Sequence, residues 1–217
     1  MTAQVFVMTA PSGTGKTTLT RRLLSQHTTI KTPSSLTTRT KRPNEKDGDH
    51  YRFVSEEQFK EAVEQKRLLE WAQVFGNYYG TTFDDFDTLR ENAEQILLEI
   101  DVQGWHQIQE RVPESKGVFI MPPSLKALWE RLSHRGTESL ATRWSRLEEA
   151  HTELQSVHTY DHFIINVSIE EAYDDLEGLV IRGLSPRLPR QDAEYHAKKL
   201  LDEYRDASWI QQLRSQF

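Results

Sequence analysis

Hydrophobic positions fall into two periods along this chain, and the periods alternate. Residues 4–9 (QVFVMT) are a short apolar, β-branched run that stops at Pro11-Ser12-Gly13, and residues 16–26 then carry Leu19, Leu23 and Leu24 at helical spacing. The order predicted is strand, glycine-bearing turn, helix. Further runs of strand length stand at residues 96–100, 118–121 and 163–167, separated by segments long enough for crossover helices. Ser124, after Pro122-Pro123, is a candidate N-cap for a helix with Leu125, Leu128 and Leu132 on one face. Such alternation predicts an α/β fold with an open, mainly parallel sheet flanked by helices.

Between residues 31 and 81 the pattern changes. Polar residues dominate as far as Arg52; residues 51–54 and 68–75 then read as extended, with a helical piece between them whose Ser55 and Gln58 form a candidate capping box. This stretch reads as an inserted lobe of mixed α/β structure. Residues 134–146, rich in small and charged side chains, suit a mobile flap, and 131–146 is taken as a helical lid. The core is then 1–30, 82–130 and 147–190 of a single unit. In the tail, 191–217, Ala197, Leu200, Leu201, Tyr204 and Ala207 lie along one helical stripe; docking on its own core is the favoured reading and a contact between copies the alternative.

The chain has 217 residues and a mass of 25.3 kDa, enough for one buried core with inserted lobes. A formal charge of -6 argues against a nucleic-acid backbone as main partner, so any anion site must be local. The absence of cysteine excludes disulfides and thiolate metal sites and fits a cytoplasmic setting, and no targeting or membrane-spanning segment is visible.

One local motif carries chemistry by itself: Ala10-Pro-Ser-Gly-Thr-Gly-Lys-Thr17, after a strand and opening a helix. Gly13 and Gly15 let the chain curl so that backbone N–H groups face phosphate oxygens at a positive helix N-terminus. Lys16 would reach the β- and γ-phosphates, the Thr17 hydroxyl would bind Mg2+, and Pro11, Ser12, Thr14 and Thr18 complete the predicted ATP cradle. Ala10 departs from the usual glycine by one methyl group. The motif makes the predicted sheet one of the P-loop NTPase type and says nucleotide, though not which reaction.

Further along stand SLTTRTKR at 35–42, then Glu45, Gly48 and Tyr51, then Glu70-Trp-Ala-Gln-Val-Phe-Gly-Asn-Tyr-Tyr-Gly-Thr81. With LLEIDVQG at 97–104, PPS at 122–124 and RLSHRGTES at 131–139 they follow in order, and in this the chain resembles the guanylate kinase family over about residues 4–183. The resemblance implies a nucleoside monophosphate kinase that moves a phosphoryl group from ATP to GMP, and to dGMP, with Mg2+. It implies that Arg39 and Arg42, with the hydroxyls of Tyr51 and Tyr79, grip the GMP phosphate, for which two guanidinium forks and two phenols are chemically suited. It makes Glu70 the acceptor for the adjacent N1–H and 2-amino donors of guanine, with Ser35 towards O6 and Thr81 near the base edge.

By the same resemblance Glu99 and Asp101, at the end of the strand LLEID and alternating onto one face, line the site, Asp101 being the one of the pair expected to touch the Mg2+ shell or the acceptor. Capping of the following helix is the alternative for either. Arg131, Arg135 and Arg146 match lid arginines that neutralise the transferring phosphoryl group, whereas Arg143 reads as a surface charge. Asn166 would address the adenine edge, although Val167 stands where the family has aspartate, and the lid lacks the family's acidic run after RGT. Two other readings stay open: a non-catalytic binding module of the same family, or a P-loop kinase of a phosphorylated sugar. Neither explains both Lys16 with the lid arginines and Glu70 with GNYYGT.

Overall fold

The computed structural model describes residues 3–42, 45–49, 51–134 and 139–216. In chain order these form β1 (Gln4–Thr9), α1 (Lys16–Gln26), β2 (Ile30–Lys31), β3 (Ser35–Thr37), β4 (Tyr51–Phe53), α2 (Glu56–Glu64), β5 (Leu68–Val74), β6 (Asn77–Thr82), α3 (Phe83–Asn92), β7 (Gln95–Glu99) and α4 (Val102–Arg111). They continue with β8 (Lys116–Met121), α5 (Leu125–His134), α6 (Leu140–Leu154), β9 (His162–Ile165), α7 (Ile169–Arg182), α8 (Arg190–Asp206) and α9 (Ser208–Arg214).

The alternation of periods becomes the expected architecture. A five-stranded sheet has the order β2-β7-β1-β8-β9, parallel between β2 and β7 and between β8 and β9, and a second, mixed sheet has the order β4-β3-β6-β5. Near-continuous apolar strands such as β1 and β8 are buried from their second residue onward, as strands covered on both faces must be. By its contacts the chain divides into two compact units, Met1–Val7 with Leu24–Ser115 and Met8–Leu23 with Lys116–Phe217.

In the first unit, β3 pairs parallel with β4 and antiparallel with β6, which pairs antiparallel with β5. Phe75 and Gly76 join β5 to β6 with φ of 48° and 78°, so the extended run ends at Val74, one residue earlier than the sequence suggested. Period-two alternation then gives the mixed sheet two different faces. Leu36, Trp71 and Tyr78 pack on Phe59 and Ala62 of α2, with the Phe59 and Tyr78 rings stacked at 5.3 Å. The capping box of α2 is present: the Gln58 N–H donates to the Ser55 hydroxyl, and the Gln58 side chain accepts from the Ser55 N–H. The other face carries polar side chains.

In the second unit, Ser124 caps α5 as expected, accepting from the Ala127 N–H at 3.0 Å. The next two free donors of that helix, the N–H groups of Leu125 and Lys126, go to the carboxylate of Glu203 on α8 at 2.9 and 3.0 Å. The tail stripe closes on its own unit, with Ala193, Ala197 and Leu200 buried. It is two helices rather than one, because α8 stops at Asp206 and Ala207 is extended between α8 and α9. Residues 140–146, within the stretch expected as a helical lid, are the first turns of α6: Ser139 caps the helix, and Trp144 and Leu147 anchor its inner face. Arg143 is not a solvated surface charge. Its guanidinium donates to the Ser133 hydroxyl at 2.8 Å and lies 5.3 Å from the centre of the Trp129 ring.

Candidate active site

The phosphate cradle belongs to the second unit. Gly13 and Gly15 adopt φ of 92° and 104°, values that favour glycine, and both are closely covered. A Cβ on Gly13 would stand 2.8 Å from Leu132 Cδ2, and one on Gly15 would stand 2.6 Å from Asn166 Nδ2. The loop closes with Thr14 N–H donating to the Pro11 carbonyl at 3.0 Å, and α1 begins at Lys16, with Thr17 and Thr18 exposed on its first turn.

Three expected side chains meet this loop. Asn166 is buried, and its amide donates to the Thr14 carbonyl at 2.6 Å. Arg131 donates to the carbonyls of Asn166 at 2.9 Å and of Thr14 and Val167 at 3.4 Å, and Arg146 donates to the Ser12 hydroxyl. With these bonds all three side chains brace the loop, beside the roles expected of them, Asn166 at the adenine edge and the two arginines at the transferring phosphoryl group. Arg135 lies outside the described residues.

The acceptor-side residues belong to the first unit, on the polar face of the mixed sheet. Strand pairing sets Glu70 beside Thr81 and Ser35 beside Tyr51, and the Ser35 and Thr81 hydroxyls approach to 3.4 Å. Glu70, Thr81, Ser35 and Tyr51 thus form one row across four strands. In the next row Tyr79 lies opposite Thr37, and its ring centre is 6.0 Å from that of Tyr51. Burial pushes the Tyr51 phenol up to about 12, with the Glu99 charge adding to it, so the group remains an O–H donor at neutral pH.

Arg39 extends over this face, its guanidinium 5.3 Å from the Tyr51 ring centre and 5.5 Å from that of Phe53. Glu45, which the sequence offered only as a motif letter, takes two of its N–H groups at 3.0 and 2.9 Å and also accepts from the Arg42 N–H at 2.8 Å. The hydrogen bond from Arg39 holds the Glu45 carboxyl at about 2. The Arg42 side chain is exposed. Both predicted phosphate arginines are therefore tied through one carboxylate.

Glu70 is 3% exposed. Burial raises its carboxyl to about 7 against the opposing hydrogen bonds of Thr81, and the charge of Asp101 raises it further. Helix α4 lies along β5. Gln107 exchanges hydrogen bonds with the Trp71 N–H and carbonyl at 3.2 and 2.7 Å, and Arg111 donates to the carbonyls of Leu68, at 3.0 Å, and Leu69. These contacts flank the irregularity in strand pairing between Leu68 and Glu70. Gly104, one turn before Gln107, has no room for a side chain: its Cβ would stand 2.6 Å from Glu70 Oε2. Gly104, Gln107 and Arg111 had a signal in the sequence, their three- and four-residue spacing on one helical face.

Asp101 lies two residues beyond Glu99, just past the strand. The strand ends at Glu99, and Asp101 is the N-cap of α4, accepting from the Gly104 N–H at 2.8 Å and the Gln103 amide at 3.3 Å. The capping reading of Asp101 is the one realised. Among the described residues no group of three or more His, Asp or Glu could hold a metal ion by itself, and no helix is long and apolar enough to cross a membrane.

Comparison with known proteins agrees in sequence and in fold. The guanylate kinase family model matches residues 2–182. Guanylate kinase of Neisseria meningitidis serogroup A is 42% identical over 176 residues, 81% of this chain and 86% of that protein. Guanylate kinase of Oceanobacillus iheyensis is 36% identical over 199 residues, 92% and 95% of the two chains. The crystal structure of guanylate kinase from Anaplasma phagocytophilum superposes with a TM-score of 0.68 at 31% identity, covering 82% of this chain and 84% of that one. With a match to the family model over most of its length, and with relatives and a solved structure in agreement, this chain belongs to the guanylate kinase family.

Proposed function

We propose that this chain transfers the γ-phosphoryl group of ATP to GMP, and to dGMP, giving ADP and GDP. The observation that carries the guanine assignment is the buried carboxylate of Glu70 in one cross-strand row with Thr81, Ser35 and Tyr51. A carboxylate accepts from N1–H and the 2-amino group together, whereas adenine has no donor at N1 and would leave the buried carboxylate badly paired. Arg39, Arg42, Tyr51 and Tyr79 supply four donors for the acceptor phosphate. Glu99 lies beside them, close enough for its charge to act on Tyr51.

On the donor side, backbone N–H groups of residues 12–17 with Lys16 bind the ATP phosphates, and the exposed Thr17 hydroxyl suits a Mg2+ that arrives with the nucleotide. The Mg2+ would be held there by Thr17, with Asp101 proposed as a water-mediated partner, and would supply charge neutralisation at the phosphates. Arg131 and Arg146, with Arg135, supply cationic charge from the lid segment 131–146, and residues 31–81 act as the GMP lobe. No covalent intermediate on the protein is needed. The two C-terminal helices serve within one chain in this reading, and the cysteine-free sequence suits a cytoplasmic enzyme.

A coupled assay of ADP formation tests the proposal. With MgATP, GMP should be a far better acceptor than AMP, CMP or UMP; Lys16→Ala should abolish transfer and Glu70→Gln should weaken GMP use selectively. Equal rates with all four acceptors would overturn the guanine assignment, and full activity of Lys16→Ala would overturn the cradle.

A further inference from the structure

We propose that Gly104 is a positioning residue for guanine recognition, because the space a side chain would need there is the space the Glu70 carboxylate occupies. The inference rests on the function proposed above and adds a residue to it. A Cβ on Gly104 would meet Glu70 Oε2 at 2.6 Å and Ile100 Cδ1 and Cβ at 3.1 and 3.3 Å, with the backbone fixed on both sides. On one side the Gly104 N–H is committed to Asp101 at 2.8 Å. On the other, Gln107 and Arg111 hold the β5 backbone around Glu70, so neither helix nor strand can retreat without breaking those bonds. Gly104 is not excused by backbone geometry, since it is an ordinary helical residue at the third position of α4, where alanine would normally be the better choice. The absence of a side chain is explained by the carboxylate.

The cheapest response to an added methyl group is rotation of the Glu70 side chain, which moves the acceptor that reads the base and leaves the strand where it is. Gly104→Ala should then raise KM for GMP by about tenfold to a hundredfold, with KM for ATP unchanged, and should narrow the preference for GMP over AMP. A purely structural role would lower stability without coupling to Glu70, so the double-mutant cycle decides. In a Glu70→Gln background, where the recognition is already lost, Gly104→Ala should add less than about twofold to KM for GMP. Additive losses would overturn the inference, as would a Gly104→Ala enzyme with unaltered KM for GMP. Should Gly104→Ala fail to fold, Gly104→Ala/Glu70→Asp, in which the carboxylate is drawn back by one methylene, tests the same contact: it should fold, and failure to do so overturns the inference. A wild-type chain that does not phosphorylate GMP would overturn the proposed function itself.

Discussion

The Asn166 amide donates to the Thr14 carbonyl, in the phosphate loop, at 2.6 Å. Position 15 must be glycine for the same reason, since a Cβ there would stand 2.6 Å from that amide nitrogen. We expect Asn166 to set loop shape whichever nucleotide the loop holds. Asn166→Ala should lower kcat/KM by about tenfold to a hundredfold with ATP and with GTP as donors alike. Loss of discrimination between the two donors would instead make Asn166 a reader of adenine. Steady-state rates with each donor at saturating GMP distinguish these outcomes.

Glu70 gives the reaction a pH dependence. Its carboxyl is raised by burial to about 7, and only the ionised form accepts from both guanine donors, so kcat/KM for GMP should rise with pH and level off above about 7. Glu70→Gln should lose that limb and retain only the step near pH 6 of the GMP phosphate. The effect on stability has the opposite sign: the proton is held more tightly in the folded chain, so this group stabilises the fold fully below its ordinary 4.5, and that contribution is lost as pH rises through about 7. Comparing the two profiles separates recognition from folding.

Glu45 should behave as the organiser of the phosphate arginines. Glu45→Ala removes the acceptor for both Arg39 N–H groups and for the Arg42 backbone, and KM for GMP should rise about tenfold while kcat changes less. A lowered KM would mean that the carboxylate competes with the phosphate. Because its folded value is about 2, the pair's contribution is present above the ordinary 4.5 and is lost as pH falls towards 2. Both partners are partly exposed, so that contribution is small.

The turn between β5 and β6 invites a stabilising change. Phe75 is 45% exposed and holds φ at 48°, a conformation that a bulky residue adopts at a cost and that Asn tolerates, and Gly76 already follows it. Phe75→Asn should raise the unfolding free energy by about 0.5–1 kcal/mol, read from urea denaturation, with catalysis unaltered.

Sequence pattern and structure agree where one local rule decides. Residues 4–26 specify strand, loop and helix through apolar spacing and glycine placement, and Ser55 with Gln58 specifies a cap through side chains three residues apart. Agreement ends where a partner comes from far along the chain. Nothing near Asn166 indicates that its amide is held by a carbonyl 152 residues earlier, and nothing near Leu125 indicates that its N–H is taken by Glu203. Arg143 reads as a surface charge because nothing near it in sequence points to Ser133 and the Trp129 ring as its partners. For Asp101 the sequence leaves site residue and helix cap as alternatives, and its bond to the Gly104 N–H realises the cap.

The two-residue turn at Phe75 and Gly76 fixes more than a hairpin. Side chains alternate across a strand, so removing or adding one residue on either arm would turn Tyr79 and Thr81 away from Ser35 and Glu70 while sending Tyr78 out of its stack with Phe59. Hairpin length is therefore under tighter constraint than any one of the side chains it displays. A substitution in this lobe can be graded in its effect, but an insertion or deletion between residues 70 and 81 is all or none.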